Sequence, residues 1–401
     1  MNILMSRIKT AYSSIYLCNM SISNGRISGL ILIFLLLAAV DAISAEFSFN
    51  EFNIPTPASY PVSIAAASDG SGHIWFVQQN GNKIVRFKPE DNSFEEHLIP
   101  YPGNPAGMSI SRDGTIWIAN STGNSIISFK PLTREFKGFR LPTPGVNPYD
   151  LVLGDNGVVW FIERNGNKIG KLFPETGAFK KYLIPTSDSQ PSAIAIDQKG
   201  VLWVTEADGN NIARFDPEKK EFEEFQIPTP FANPSDILVD NSGKVWFSEM
   251  NTGRIGMFDP ASKAFNEVII PTLSPVIVSI AVDKQGKIWF TENKGNKIGV
   301  FDPSSAVVKE YEIPTSRSLP IGMTVDERGT AWFTESDRDA NRIGRLEITL
   351  PSKKVDAEQT GKGSGSEPDG ALFSMKMIIL SAIPLAVIAI VALIVRRSKR
   401  K

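Results

Sequence analysis

The chain has 401 residues, 42% of them hydrophobic, with 42 basic against 43 acidic side chains. That is enough apolar material for a large packed core, and it sets disorder aside as the default. The charge is unevenly placed: taking +5 at residues 396–401, +1 at Lys376 and +2 over residues 1–45 out of the net −1 leaves the middle of the chain at about −9, a poor match for nucleic acid or anionic lipid.

Residues 1–45 predict a secretory signal. An apolar run over residues 30–39 follows Arg26 and precedes small residues up to Ala45, the order of charged, hydrophobic and cleavage regions. Cleavage is expected after Ala42 or Ala45, and Met20 offers an alternative start. The one cysteine, Cys18, lies in this segment, so the exported chain carries no disulfide and its stability rests on packing.

Seven tryptophans then fall at 75, 117, 160, 203, 246, 289 and 332, spaced by 42 once and by 43 five times. A period of about 40 to 50 residues holding four short strand signals is the mark of a β-propeller blade. The stretch 275–314 shows the four. IVSIAVD (277–283) is apolar almost throughout, as an inner strand buried on both faces requires. KIWFTE (287–292) is the second strand, NKGN a turn of residues that accept positive φ, and KIGVFDP (297–303) the third strand. VVKEYEIP (307–314) alternates polar and apolar residues, which suits an outer strand with its proline at the edge.

The two ends of the array are complementary. After Trp332 a third strand, NRIGRLEI (341–348), appears without a fourth, while FNEFNIPTP (49–57) precedes the first tryptophan and matches FEEFQIPTP (222–230) at seven of nine places. The N-terminal strand is therefore expected to complete the last blade, closing an all-β, seven-bladed propeller over residues 46–350. Residues 351–371 read as a flexible Gly, Ser and charged linker. Residues 372–395 read as a transmembrane helix, since the 19 residues 377–395 carry no charge and span about 30 Å as a helix, with a kink expected at Pro384. The basic residues 396–401 place the tail in the cytoplasm and the propeller outside a cell membrane crossed once.

Three residues after each tryptophan stand Gln78, Asn120, Glu163, Glu206, Glu249, Glu292 and Glu335. This ring is expected to rim the mouth of the central channel. Its structural reading has each carboxylate accepting N–H bonds from the adjacent Gly/Asn turn; its functional reading has the ring gathering a cation or a cationic ligand group. Both can hold together.

The repeat also breaks on that face. Trp332 and Ile343 are eleven apart where the other units have nine, which sets Glu335, Asp337 and Asp339 at alternate positions able to converge on magnesium or calcium. Arg338 could neutralise them instead, and a solvated polar turn is the plainer alternative. Further departures are Tyr149 and Asp150 in NPYDL, Asp236 in PSDIL, Arg164 and Met250 just after the ring positions, and Tyr60, Tyr101 and Phe231 in connecting loops. Aromatics and an arginine at a concave mouth suit ligand contact.

The unit P-x-x-I-x-x-D-x-x-G-x-x-W-F-T-E, as in PSDILVDNSGKVWFSE (234–249) and PIGMTVDERGTAWFTE (320–335), resembles the repeat of the virginiamycin B lyase (streptogramin lyase) family over all seven blades. The resemblance implies opening of cyclic depsipeptides by elimination at the ester bond, with magnesium held by glutamates and a histidine as general base. Glu292 or Glu335 matches the metal-binding glutamate of that family. The base position, eleven residues before each tryptophan, reads Ile64, Ala106, Tyr149, Ser192, Ser235, Val278 and Ile321, and the second metal position reads Val276 or Leu319. The only two histidines, His73 and His97, fall elsewhere in the unit. Lacking a base poised near neutral pH forfeits about 10²- to 10⁴-fold in such a reaction. The expected function is therefore a membrane-anchored extracytoplasmic binding or interaction module for a cell-surface protein, glycan or small molecule. The alternatives are a magnesium-dependent carbon–oxygen lyase of that family, a gluconolactonase-like ester hydrolase, or an envelope spacer.

Overall fold

Each unit folds into four antiparallel strands running from the centre outward, and seven such sheets form the ring. The computed structural model describes residues 46–349. The expected signal, linker, membrane helix and basic tail lie outside those residues, and among the described residues no helix is long and apolar enough to cross a membrane.

Blade four shows the pattern: innermost strand Pro191–Ile196, second Leu202–Glu206, third Asn211–Asp216 and outermost Glu221–Gln226. Its second strand is buried at every position, because a sheet of four strands stacked between two neighbours exposes only its outer edge. The tryptophan recurs because it joins one blade to the next. Trp203 stacks on Phe225 of its own blade at 6.2 Å and meets Phe258 of the following blade at 5.8 Å. Trp75 with Phe129, Trp160 with Phe215, Trp246 with Phe301 and Trp332 with Phe87 repeat the second contact at 6.0, 6.1, 6.0 and 5.7 Å. Such pairs add about 0.5–1.5 kcal/mol beyond area burial. The glycine of the K-I-G sequence has a matching cause: a Cβ on Gly299 would lie 2.0 Å from the Phe290 ring, which therefore lies flat on bare backbone.

The ring closes as the sequence predicts. Glu46–Asn53 pairs antiparallel with Arg342–Thr349, in unbroken register from Glu46↔Thr349 to Asn53↔Arg342. A latch between blades supports the closure. Thr315, in the loop after blade six, donates its backbone N–H to Glu51 of the closing strand at 3.0 Å. Thr56, Thr186, Thr229 and Thr272 make the same bond to Glu96, Glu224, Glu267 and Glu310 of the following blades, which explains the recurring E-x-x-I-P-T.

One irregularity positions the site. In each blade the innermost strand slips register just after its first residue, as where Pro148↔Glu163 is followed by Leu151↔Phe161. The bulge sets Tyr149 and Asp150 against a single partner residue and turns both toward the axis. In blade one Pro61 pairs with Gln78, so Val62, and not Ile64 as counting back from Trp75 implies, takes the place of Tyr149. The loop between the first two strands there is two residues longer, which displaces the count.

Candidate functional site

The bulges surround a central cavity of about 550 Å³. One arc of its wall is polar and carries Tyr149, Asp150, Ser192, Ser235 and Asp236; the opposite arc is mainly apolar, with Val276, Val278, Ile321, Met323 and Val62 among the polar Ser63, Gln79, Ser279 and Asn293, and Met250 at the border. Arg164 stands over this wall with its guanidinium 4.8 Å from the centre of the Tyr149 ring and its Nε 3.3 Å from Gln190 Oε1. Tyr149, Asp150, Arg164 and Asp236 are thus brought together as the sequence suggested, and Met250 and Tyr60 join them.

Asp150 and Asp236 serve the frame as well as the cavity. The bulge frees a backbone N–H in the next blade, and these carboxyls accept it: Asp150 Oδ2 from Ile194 N at 3.0 Å, Asp236 Oδ2 from Ile280 N at 2.9 Å and from Ser279 Oγ at 2.8 Å. Burial pushes the Asp150 carboxyl up to about 7; the Ile194 N–H counters this and the nearby Asp236 adds to it. Asp236 is raised too, by burial, against the pull of the Ile280 N–H and the Ser279 hydroxyl.

The glutamate ring is a different structure from the one expected. Glu163, Glu206, Glu249, Glu292 and Glu335 are each 0% exposed, and none lines the cavity. Strand alternation is the reason: at the end of the second strand the tryptophan-plus-three side chain points between blades, and the residue after it points to the mouth. Nor do these carboxylates take N–H bonds from the Gly/Asn turn. The turn asparagines spend their amides on the I-P-T loop, Asn167 Nδ2 donating to Ile184 O at 3.2 Å and Thr186 O at 2.8 Å.

Apart from Asn120, which donates to Pro102 O at 3.2 Å, each ring residue meets the outermost strand, 18 positions on in every blade but the last. Gln78 Nε2 donates to Glu96 Oε1 at 2.9 Å, and Glu163 Oε1 pairs with Lys181 Nζ at 2.6 Å. Glu206, Glu249, Glu292 and Glu335 face a second carboxyl, that of Glu224, Glu267, Glu310 and Glu51 in turn. A buried carboxyl against a carboxylate is stable only with a proton between them. Burial first, and the facing charge next among the raising influences, push Glu249 and Glu292 up to about 7 and Glu206 and Glu335 up to about 8.

The insertion after Trp332 also differs from expectation. Glu335 is buried against Glu51, Asp339 is exposed, and Asp337 Oδ1 accepts the backbone N–H of Asp339 at 2.9 Å. The three do not converge, and among the described residues no three His, Cys, Asp or Glu side chains gather as a metal cage. The magnesium ligands that the family resemblance implies are not assembled at the cavity: Glu292 and Glu335 are buried away from it, and Val276 in its wall is apolar. His73 Nε2 lies on the surface 3.4 Å from Glu90, and His97 packs 4.9 Å from Phe129 in the outer part of blade one, its pKa lowered by burial.

The sequence reading named only part of the rim, Arg164, Met250 and Tyr60, and did not recognise it as a ring. Two rings form it: the residues just after the ring glutamates, such as Gln79, Met250 and Asn293, and the loop residues whose carbonyls accept their N–H groups, such as Tyr60, Asn233 and Val276. Their signal was the same 43-residue register read one position further along.

A seven-bladed propeller whose bulged inner strands enclose one off-symmetric cavity is the class that fold and site define. A model of the virginiamycin B lyase family matches residues 38–245 and 177–356. Virginiamycin B lyase from Staphylococcus aureus is 32% identical, covering 75% of this chain and 99% of its own, with a TM-score of 0.70. A streptogramin B lyase is 31% identical over 76% and 98%, with a TM-score of 0.71. A catalytically inactive histidine-to-alanine variant of the S. aureus enzyme, solved with quinupristin, is 31% identical over 75% and 99%, at 0.69. Hydrazine synthase of Kuenenia stuttgartiensis shares the fold at 12% identity, with a TM-score of 0.61. No curated protein sequence matches. The chain belongs to the virginiamycin B lyase family.

Proposed function

We propose that this family member binds a ligand in the central cavity and acts as an extracytoplasmic binding module, held to the membrane by its C-terminal apolar segment. The carrying observation is the two-sided wall: a polar arc with Tyr149 under Arg164 faces an apolar arc of Val276, Val278, Ile321 and Met323. A wall of that kind suits an amphipathic small molecule with an aromatic or aliphatic side and a hydrogen-bonding side. The related enzyme solved with quinupristin, whose inactive variant lacks one histidine, adds support, since no histidine lines this cavity. The test is a binding titration of the full-length protein with streptogramins and other cyclic depsipeptides, repeated with Arg164→Ala and Tyr149→Ala. Binding that both substitutions leave unchanged overturns the site.

One observation favours a catalytic second reading. Asp150 is a cavity carboxyl poised at about 7, in the range a general base needs. In that reading Asp150 takes the proton beside an ester and the chain is a carbon–oxygen lyase or ester hydrolase. Turnover of depsipeptides and lactones that Asp150→Asn abolishes would support it, and absence of turnover removes it.

A further inference from the structure

The blades carry an internal comparison. The first residue of the third strand places a cation beside the latch threonine and its glutamate in most blades. Lys83 Nζ in blade one lies 2.6 Å from Thr56 Oγ1 and 2.7 Å from Glu96 Oε2. Lys297 in blade six lies 2.7 Å from Thr272 Oγ1 and 3.6 Å from Glu310. Arg342 bonds Thr315 in blade seven, and Arg254 acts on Glu249 in blade five.

Blade four departs from this. Its residue at that position is Asn211, whose Nδ2 reaches Thr186 Oγ1 at 3.3 Å. The carboxyl pair is nonetheless complete: Glu206 faces Glu224, and Thr186 donates to Glu224 from N at 2.9 Å and Oγ1 at 3.0 Å. Glu206 is 0% exposed, and no donor comes close to either of its carboxyl oxygens, the Ser189 and Asn211 side chains standing nearest. With no lysine or arginine beside them, the two acidic groups rely on a shared proton alone, and once it is lost they carry a local charge of −2 that the other blades with a carboxyl pair reduce by one. An unpaired buried carboxylate costs several kcal/mol.

We propose that blade four binds a divalent hard cation of the calcium class between Glu206 and Glu224, at the place where Lys83 and Lys297 put an ammonium group. The donors are all oxygen, as such an ion requires: two carboxylates and the Thr186 and Ser189 hydroxyls. Glu224, Thr186 and Asn211 are each partly exposed, which gives the ion a way in from the outer surface. The site is separate from the central cavity and does not depend on what binds there.

The experiment uses the full-length protein at pH 8, stripped with chelator. Calorimetric titration and thermal melting are followed on adding calcium or magnesium chloride alone. One ion is expected to bind, and a hundredfold excess over Kd should raise the melting temperature by roughly 5 °C. Asn211→Lys, which restores the ammonium, should abolish the response and melt above the stripped wild type. Glu206→Gln, which recreates the Gln78–Glu96 pair of blade one, should abolish it as well and serves if the lysine variant fails to fold. A wild type indifferent to both ions, or a response that survives both substitutions, overturns the proposal.

Discussion

Glu249→Gln is the sharpest probe of the proton-sharing pairs. Glu249 is 0% exposed and faces Glu267, with Thr252 Oγ1 donating to its Oε2 at 2.5 Å. In the folded state its pKa rises from 4.5 to about 7, so the native chain holds a proton that the unfolded chain releases. Stability from this pair is complete below about 4.5, falls as pH rises toward 7 and is level above it. The interval corresponds to roughly 3 kcal/mol. Glutamine offers the same hydrogen bond to Glu267 at every pH, as Gln78 does to Glu96 at 2.9 Å. The variant should therefore match the wild type near pH 5 and exceed it at pH 8.5 by roughly 3 kcal/mol, or about 6 °C in melting temperature for a domain of this size. Melting curves by tryptophan fluorescence at half-unit steps of pH provide the measurement. Parallel profiles for the two proteins would refute the shared proton.

Lys181→Met leaves Glu163 buried without the 2.6 Å partner it now has, and a loss of about 3–5 kcal/mol in denaturant stability is expected. Asp236→Ala removes the acceptor of the Ile280 N–H and the Ser279 hydroxyl, so the melting temperature should fall by the equivalent of about 1–3 kcal/mol. Arg164→Ala, by contrast, removes a group that stacks on Tyr149 at the mouth, and should leave the melt within about 1 °C while weakening ligand binding.

The fold could be read from the sequence because its cause repeats. One tryptophan per unit bridges adjacent blades, so its period counts them, and the orphan strand at residues 49–57 had one sheet left to join. The site was only half legible. Tyr149, Asp150, Arg164 and Asp236 stood out because they break the repeat, and they do line or cover the cavity. The glutamates misled because they keep the repeat: a residue present in most blades answers to a need of every blade, here the contact with the outermost strand. Seeing that Glu224, Glu267 and Glu310 lie opposite them requires the strand order, which sets residues 18 apart on the second and outermost strands of one sheet, and Glu51 reaches Glu335 only through the closure.

The seam in the last blade has a consequence for how the molecule is made. Asn50 and Arg345, bonded across it, are separated by 295 residues of chain. Six blades can assemble in order as they emerge, but the seventh waits on the last strand to be synthesised, and until then an unpaired edge is open to other chains. Closing so long a loop late makes the final step slow and the closed disc hard to pry apart from either end. Durability here would come from the rate of opening as much as from depth of the energy well, which suits a propeller that holds no cysteine to crosslink it.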